Sequence, residues 1–538
     1  MSSQQPQAPS SLPLLSDGWI GSRFNLAASH REESYPEHPT QSYPTLALPH
    51  PGLPATTALP GYARSSLDIL SVWEVRPAAS IPIRSSVESS CPINTLPLEV
   101  LSQIFLGATG SIQIRDAKPS PTSVSLRLSH VCRYWRGVAI DLPGIWQCLS
   151  LTGCKDRRTH RRLDLVKAFM ERSKGLGMDI YYQDAEEVIL SGNWWQIIMR
   201  GEAFTVAPYE DRCFCVLDCI IARIGEIRSL EIIIGHASSS RLTAVSPTAA
   251  AMLKSLNVRF LEGGQRTQVL SRFLASLPRV ERLVWGNSQQ ACAVPPPMGV
   301  PWLQLVTADI VDCALTHDAF LRMLSQGQRL RQVMVRLSST PPSLHGSFGR
   351  LQVEQSALEN LTIYGDGPAD AVFRAFRLPS LRVLALRSDS REAPGWPVTD
   401  IQALQCLISG IHEGLHSFAL NPAENVAEGD LISVLSLAQM STLRYLEVRL
   451  PHISDILFAR LNPGYGPPLV PHLETLEVAK CATADGTVSE MILARLQHNH
   501  PLRCAEIAFV RQAIGLHPRD LAEFHRFQQL GVSVTGCF

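Results

Sequence analysis

From residue 227 onward one short pattern keeps returning: an aliphatic residue, two others, an apolar residue, one other and a second aliphatic. It reads IRSLEI at 227, LKSLNV at 253, VERLVW at 280, LVTADI at 305, LRQVMV at 330, LENLTI at 358, LRVLAL at 381, LHSFAL at 415, LRYLEV at 443, LETLEV at 473 and LRCAEI at 502. Start-to-start spacings run from 23 to 34 residues. Between the phrases lie runs such as RTQVLSRFLASL, HDAFLRMLSQG and DIQALQCLISGI, whose apolar positions recur at helical intervals. Each unit therefore predicts one strand and one helix. A unit this short cannot cover its own apolar face, so it must stack on its neighbours, with parallel strands on the concave side and helices outside. Period-two alternation then sends the aliphatic anchors into the core and turns Ser229, Glu231, Thr307, Asp309, Gln332, Met334, Asn360, Thr362, Tyr445, Glu447, Thr475 and Glu477 to the open face. An ordinary α/β domain with fortuitous spacing is the alternative.

Upstream, the pattern is purely helical. In INTLPLEVLSQIF, Pro97 suits a first turn, where its missing N–H has no partner to lose, and Glu99 complements the positive helix start. Leu101, Ile104 and Phe105 then share one side. In SHVCRYWRGVAIDLPGIWQCL, the residues Leu128, Val131, Cys132, Trp135, Val138, Ala139 and Leu142 recur at three and four, which predicts one continuous amphipathic helix ended by Pro143. A short third turn carries Ile145, Trp146 and Leu149, and the insert GATGSIQIRDAKPSPTS between the two helices reads as a loop. A helical unit of about sixty residues is near the size where isolated cores become marginal. It cannot enclose two tryptophans and a leucine-rich stripe unaided, so part of that surface needs another partner.

These residues resemble the F-box, in particular the F-box-like proteins numerous in fungi. The matching elements are Leu96-Pro97-x-Glu99-Val100-Leu101-x-x-Ile104-Phe105, Leu128-Ser129-x-Val131-Cys132-Arg133-x-Trp135-Arg136-x-x-Ala139 and Pro143-x-Ile145-Trp146-x-x-Leu149. Glu171-Arg172-Ser173, at the end of the next helical pattern, fits the same resemblance, and the strand pattern of Met178, Ile180 and Tyr182 follows it. The resemblance implies a helical module that binds the Skp adaptor and, through it, a cullin-RING ubiquitin ligase of the SCF type. It further implies that Leu96, Pro97, Leu101, Ile104, Phe105, Val131, Cys132 and Trp135 form or support the adaptor-facing surface. For Trp135 and Trp146 a core role competes with direct contact. The repeating phrases resemble leucine-rich repeats, with a closing cysteine only at Leu305–Cys313 and Leu473–Cys481, so the array is degenerate.

The expected organisation is thus α/β: a Pro/Ser-rich disordered tail over 1–90, a three-helix F-box over 91–152 and an irregular leucine-rich-repeat solenoid over 153–538. On it, Glu231, Asp309, Gln332, Asn360, Tyr445, Glu447 and Glu477 are the candidate target-binding residues. The expected function is substrate recognition for the ligase. A repeat scaffold whose F-box-like helices only cap the solenoid is the competing class, and an enzyme with an unrecognised site is a third.

Composition adds mostly exclusions. Among 538 residues, 48 basic and 48 acidic side chains cancel, so no bulk field points to nucleic acid or an anionic membrane. No apolar run approaches the roughly twenty residues a membrane span needs. The opening MSSQQPQAPSSLPLL lacks a basic start with a long apolar run, and the thirteen cysteines include no C-x-x-C pair. Both observations predict reduced thiols and a cytoplasmic or nuclear protein, which discounts the sequon at Asn360-Leu361-Thr362. The cluster Lys155, Arg157, Arg158, Arg161 and Arg162 heads an amphipathic helix without interleaved aromatics and reads as a solvated face. There is no phosphate-binding loop, no nucleophile elbow and no H-E-x-x-H. Cys213, Cys215 and Cys219, and separately His498, His500 and Cys504, lack the paired spacing of a zinc site. No enzyme activity, cofactor or metal is expected.

Overall fold

The computed structural model describes Ile93 and residues 96–110, 121–154, 160–184, 213–246, 249–260, 267–275, 277–287, 299–338, 353–365, 367–388, 398–421, 426–500, 502–510 and 517–537. The chain divides into Met1–Glu88 and Ser89–Phe538. The first unit, with the expected disordered tail, lies outside the described residues.

The second unit opens with helices α1 (Leu98–Gly110), α2 (Pro121–Leu128) and α3 (Arg133–Asp141), then a single 3-10 turn at Pro143–Trp146. The expected continuous helix through Leu128–Leu142 is in fact two. The chain turns at Ser129–Val131, and Cys132 caps α3 by accepting the Trp135 N–H at 3.4 Å. Arg136 holds the turn from the other side, donating to the Ser129 carbonyl at 2.9 Å. A three-and-four stripe survives such a break because the interruption is close to one turn long. Within the expected loop, α1 continues to Gly110 and α2 starts at Pro121; residues 111–120 lie outside the described residues. The small core joins Leu101 and Phe105 of α1 to Val138 and Ala139 of α3 and to Ile145 and Trp146, all buried. Phe105 meets Trp135 at 5.0 Å between ring centroids. Ser125 of α2 donates to the Ile145 carbonyl at 2.6 Å, and Thr122 accepts the Ser150 N–H at 2.7 Å, fastening the helices to the first strand.

From Cys148 to Cys537 the described residues form a sheet of fourteen strands that follow one another in chain order, every neighbouring pair parallel, with a separate two-stranded parallel pair, Val353–Glu354 and Phe376–Arg377. Each of the eleven recurring phrases runs into one of the large sheet's strands, ten of them beginning two residues before it. Two strands precede them, Cys148–Thr152 and Met178–Gln183, and Ser533–Cys537 follows. The sheet thus begins inside the segment assigned to the helical module. One ladder of anchors runs through the register, Leu230 to Leu256 to Leu283, and later Leu361, Leu384, Phe418, Leu446, Leu476, Ala505 and Val534. Each is buried in the same core as the helices, so the helices cover this face and the alternate residues face away. Burying one such Leu stabilises the fold by about 1.5–3 kcal/mol. This is a solenoid-like α/β array.

Successive repeats are also tied through their helix ends. Glu428 accepts the Ser454 and Leu457 N–H groups of the next repeat at 3.1 and 3.0 Å. Asp370 accepts those of Thr399 and Asp400 at 3.1 and 3.0 Å. A carboxylate from one repeat thereby satisfies the otherwise orphaned donors at or near the helix start of the next.

Candidate functional site

Two surfaces carry the chemistry expected of a binding protein. The first lies on the helices. Of the twelve large apolar side chains that stand exposed among the described residues, six fall between residues 98 and 140: Leu98, Val100, Ile104, Val131, Tyr134 and Ile140. Val100 and Ile104 lie one turn apart on α1, at 44% and 43% exposure, and Val131 reaches 58%. The residues expected at the adaptor face divide accordingly. Pro97, Ile104 and Val131 are exposed, while Leu96, Cys132 and Trp135 are half-buried. Leu101 and Phe105 are fully buried and can act only from beneath, by holding α1 against α3. Trp135 packs at a tilt against Phe105 of this core, while its indole nitrogen is buried without a hydrogen-bond partner among the described residues.

The second surface is the sheet face turned away from the helices. One row across it runs Tyr181, Glu231, Asn257, Val284, Asp309, Met334, Thr362, Ala385, Ala419, Glu447, Glu477 and Glu506. Four candidate residues, Glu231, Asp309, Glu447 and Glu477, share this row. Gln332, Asn360 and Tyr445 share the adjacent one with Thr307, Ser417 and Thr475. On the other flank stand Arg336, Tyr364 and Arg387 on consecutive strands, and Arg449 further along. This basic and aromatic flank escaped the sequence reading because the phrase ends before it.

Glu447 differs from its neighbours. It is almost wholly buried and accepts from Arg387 at 2.9 Å, from Asn421 at 3.2 Å and from the Tyr445 hydroxyl at 3.4 Å, with Arg449 at 3.6 Å. Its carboxylate is engaged in organising this face of the sheet. Glu477, one strand on, is half-buried. Burial pushes its carboxyl above the ordinary carboxylate range; Glu447 and Glu506 push the same way, against the Tyr445 hydroxyl and the Arg449 charge. A raised folded-state pKa means that the ionised form penalises folding, fully above that pKa and not at all below the unfolded value. Glu477→Gln is therefore expected to raise the urea midpoint near neutral pH, and the gain should vanish below about pH 4.3, where the wild-type carboxyl is protonated in both states. An unchanged midpoint at neutral pH would contradict this.

Asn257 Oδ1, Arg259 Nε and Arg387 Nε, all on this face, are buried without a hydrogen-bond partner among the described residues. Polar atoms left in that state cost about 1–3 kcal/mol each and are relieved by a polar ligand.

Other candidates resolve into structure. Arg162 is not a solvated charge: it donates to the Thr152 carbonyl at 2.9 Å and also to that of Gly153. Lys155, Arg157 and Arg158 lie outside the described residues. Asp485, His517 and Asp520 lie close together. Asp520 is occupied by the Gly486 and Ser489 N–H groups and by His517 Nδ1, at 3.0, 2.8 and 3.1 Å. Asp485 accepts from Arg519 and Asp520 N–H at 3.0 and 3.1 Å. These are helix caps. His498 Nδ1 sits on the Ala494 carbonyl at 2.8 Å, and His498, His500 and Cys504 make no metal-capable group among the described residues. Cys219 packs at the core edge. Cys213 and Cys215, however, do meet, in company with Cys154 and His160.

No family model matches the chain, and no curated protein matches it. A crystal structure of a Bacteroides fragilis protein from a structural genomics consortium is similar at 10% identity, covering 58% of this chain and 66% of that one, with a TM-score of 0.22. The chain thus spans just under two thirds of that protein's length. A likeness at this level says nothing of function. No helix among the described residues is long and apolar enough to cross a membrane.

Proposed function

We propose that the chain is a non-catalytic substrate receptor of an SCF-type cullin-RING ubiquitin ligase, working in the cytoplasm or nucleus. Its F-box-like helices hold the Skp adaptor, and the sheet face of its leucine-rich-repeat array holds a target protein. The observation that carries this reading is the concentration of exposed apolar side chains on α1 and around the start of α3, above a core that is already closed by Leu101, Phe105 and Trp146. The resemblance of those same segments to the F-box supplies the identity of the partner. The mechanism is proximity: the target's lysines are held at raised effective concentration beside the ligase's conjugating partner. No bond is made by this chain.

The rival reading, a scaffold whose first helices merely cap the repeats, is separated by co-expression with the Skp adaptor. A receptor copurifies with it, and Ile104→Asp, which places a charge on an exposed interface residue without entering the core, abolishes the complex while leaving the melting temperature within about 2 °C. Leu101→Asp is a poor probe because it unfolds the helices. A scaffold cap gives no complex with the wild-type chain.

A further inference from the structure

Two stretches distant in sequence converge beside the first two strands: Cys154 and His160, between the exit of Cys148–Thr152 and the start of the helix Arg161–Arg172, and Cys213 and Cys215 at the entry to the helix Cys215–Ala222. An antiparallel bridge sets Cys154 opposite Cys213. Around it, Cys154 Sγ lies 3.5 Å from Cys215 Sγ, and His160 Nδ1 lies 3.2 Å from Cys215 Sγ and 3.7 Å from Cys213 Sγ. All four ligand atoms lie within 4.8 Å of one another, and the three thiols are free. A tetrahedral zinc ion, with bonds of about 2.3 Å to sulfur and about 2.0 Å to nitrogen, spaces its ligands about 3.5–3.8 Å apart. The separations of 3.2, 3.5 and 3.7 Å are close to that size.

We infer that Cys154, His160, Cys213 and Cys215 form a structural zinc site. Three thiolates and an imidazole are a soft donor set, suited to zinc and unsuited to magnesium or calcium. Four protein ligands close the coordination sphere, so the site holds structure and leaves no position for a substrate. The surroundings are arranged for it. His160 occupies the cap position of its helix yet makes no capping bond; its ring is turned to the sulfurs instead. Three thiolates around a divalent ion leave one net negative charge, and Arg162, anchored on the Thr152 carbonyl at 2.9 Å, brings a cation to the approach of Cys154. The ion ties Cys154 to Cys215 across 61 positions of sequence, a long closure whose loss frees much chain entropy. It thereby pins the start of the array where the helices meet it.

The test is metal content of the full chain, purified in reducing, chelator-free buffer from cells supplied with zinc. One zinc per chain is expected by mass spectrometry of the metal, released to a zinc indicator when the thiols are blocked. The double variant Cys213→Ser/Cys215→Ser should lose it about tenfold or more, whereas Cys219→Ser and Cys406→Ser keep it. Stripping the zinc from the wild-type chain should lower the melting temperature by roughly 5 °C or more. Should the double variant fail to fold, cobalt exchanged into the wild-type chain gives a thiolate charge-transfer band and the intense visible bands of tetrahedral sulfur ligation, and His160→Cys retains the metal with shifted bands. A folded full chain with little zinc and no tetrahedral cobalt spectrum overturns the site, as does a Cys154–Cys215 disulfide in peptide mapping. Neither result bears on adaptor binding.

Discussion

Trp146→Ala is expected to destabilise the chain by about 3–5 kcal/mol, the range for removal of a buried aromatic. Trp146 has no exposed surface and joins three elements at once. Its indole N–H donates to the Ala139 carbonyl at 2.7 Å, closing α3 onto the turn that follows. Its ring packs edge-on against Phe169 at 4.9 Å, and the Arg172 guanidinium lies 4.5 Å over it. Phe169 and Arg172 belong to the helix of the first repeat, so this one side chain couples the helical unit to the sheet. Trp146→Phe keeps most of the packing and loses the donor, so about 1–2 kcal/mol is expected for it. Denaturant midpoints of the two variants check both figures; a loss below about 1 kcal/mol for the alanine variant would mean that the helices are not packed on the array through Trp146.

Arg495→Met is the second large effect. Arg495 is fully buried in the helix Thr487–Gln497, and its guanidinium donates to the carbonyls of Leu461, Val470 and Pro471 at 3.0, 2.9 and 3.2 Å. Leu461 ends the helix Asp455–Leu461, and Val470 and Pro471 lie in the connection that follows; of the three carbonyls, Val470 also accepts the Leu473 N–H at 3.3 Å. Burial lowers the Arg495 pKa to about 10, and the cation is retained because the three carbonyl dipoles compensate its lost hydration. Methionine matches the stem but removes the donor from all three carbonyls and leaves those of Leu461 and Pro471 without it, for an expected cost of about 3 kcal/mol. Lysine should recover only part, since one ammonium cannot span the fork's three partners. Thermal unfolding of both variants is the check, and a methionine variant as stable as wild type would contradict the role.

The repeat array was legible because its signal is local. Alternation at Leu443, Leu446 and Val448, or at Leu473, Leu476 and Val478, needs no knowledge of neighbours, and each of these side chains is buried. Strands without that fullness were hidden. Cys148–Thr152 follows so closely on the helical stripe that Leu149 reads as its last apolar position, and Ser533–Cys537 buries only Val534. The break between α2 and α3 was invisible because a cysteine cap gives little warning in sequence. Surface chemistry was legible by row and not by partner. Alternation placed Glu447 on the open face, but nothing local announced that Arg387, 60 residues away, reaches its carboxylate. The thiol and imidazole cluster was the hardest to see: Cys213-x-Cys215 has the wrong spacing for a familiar zinc knuckle, and its other two ligands arrive from another repeat.

In the proposed receptor, the Skp adaptor covers the exposed apolar side chains of α1 and the α3 start. Amide hydrogen exchange of the full chain, with and without purified adaptor, shows which residues the adaptor covers. Slowed exchange is expected in peptides covering residues 98–105 and 131–138, with the sheet strands unchanged. Exchange that is unaltered in those peptides at saturating adaptor, or slowed only along the strands, would contradict that coverage.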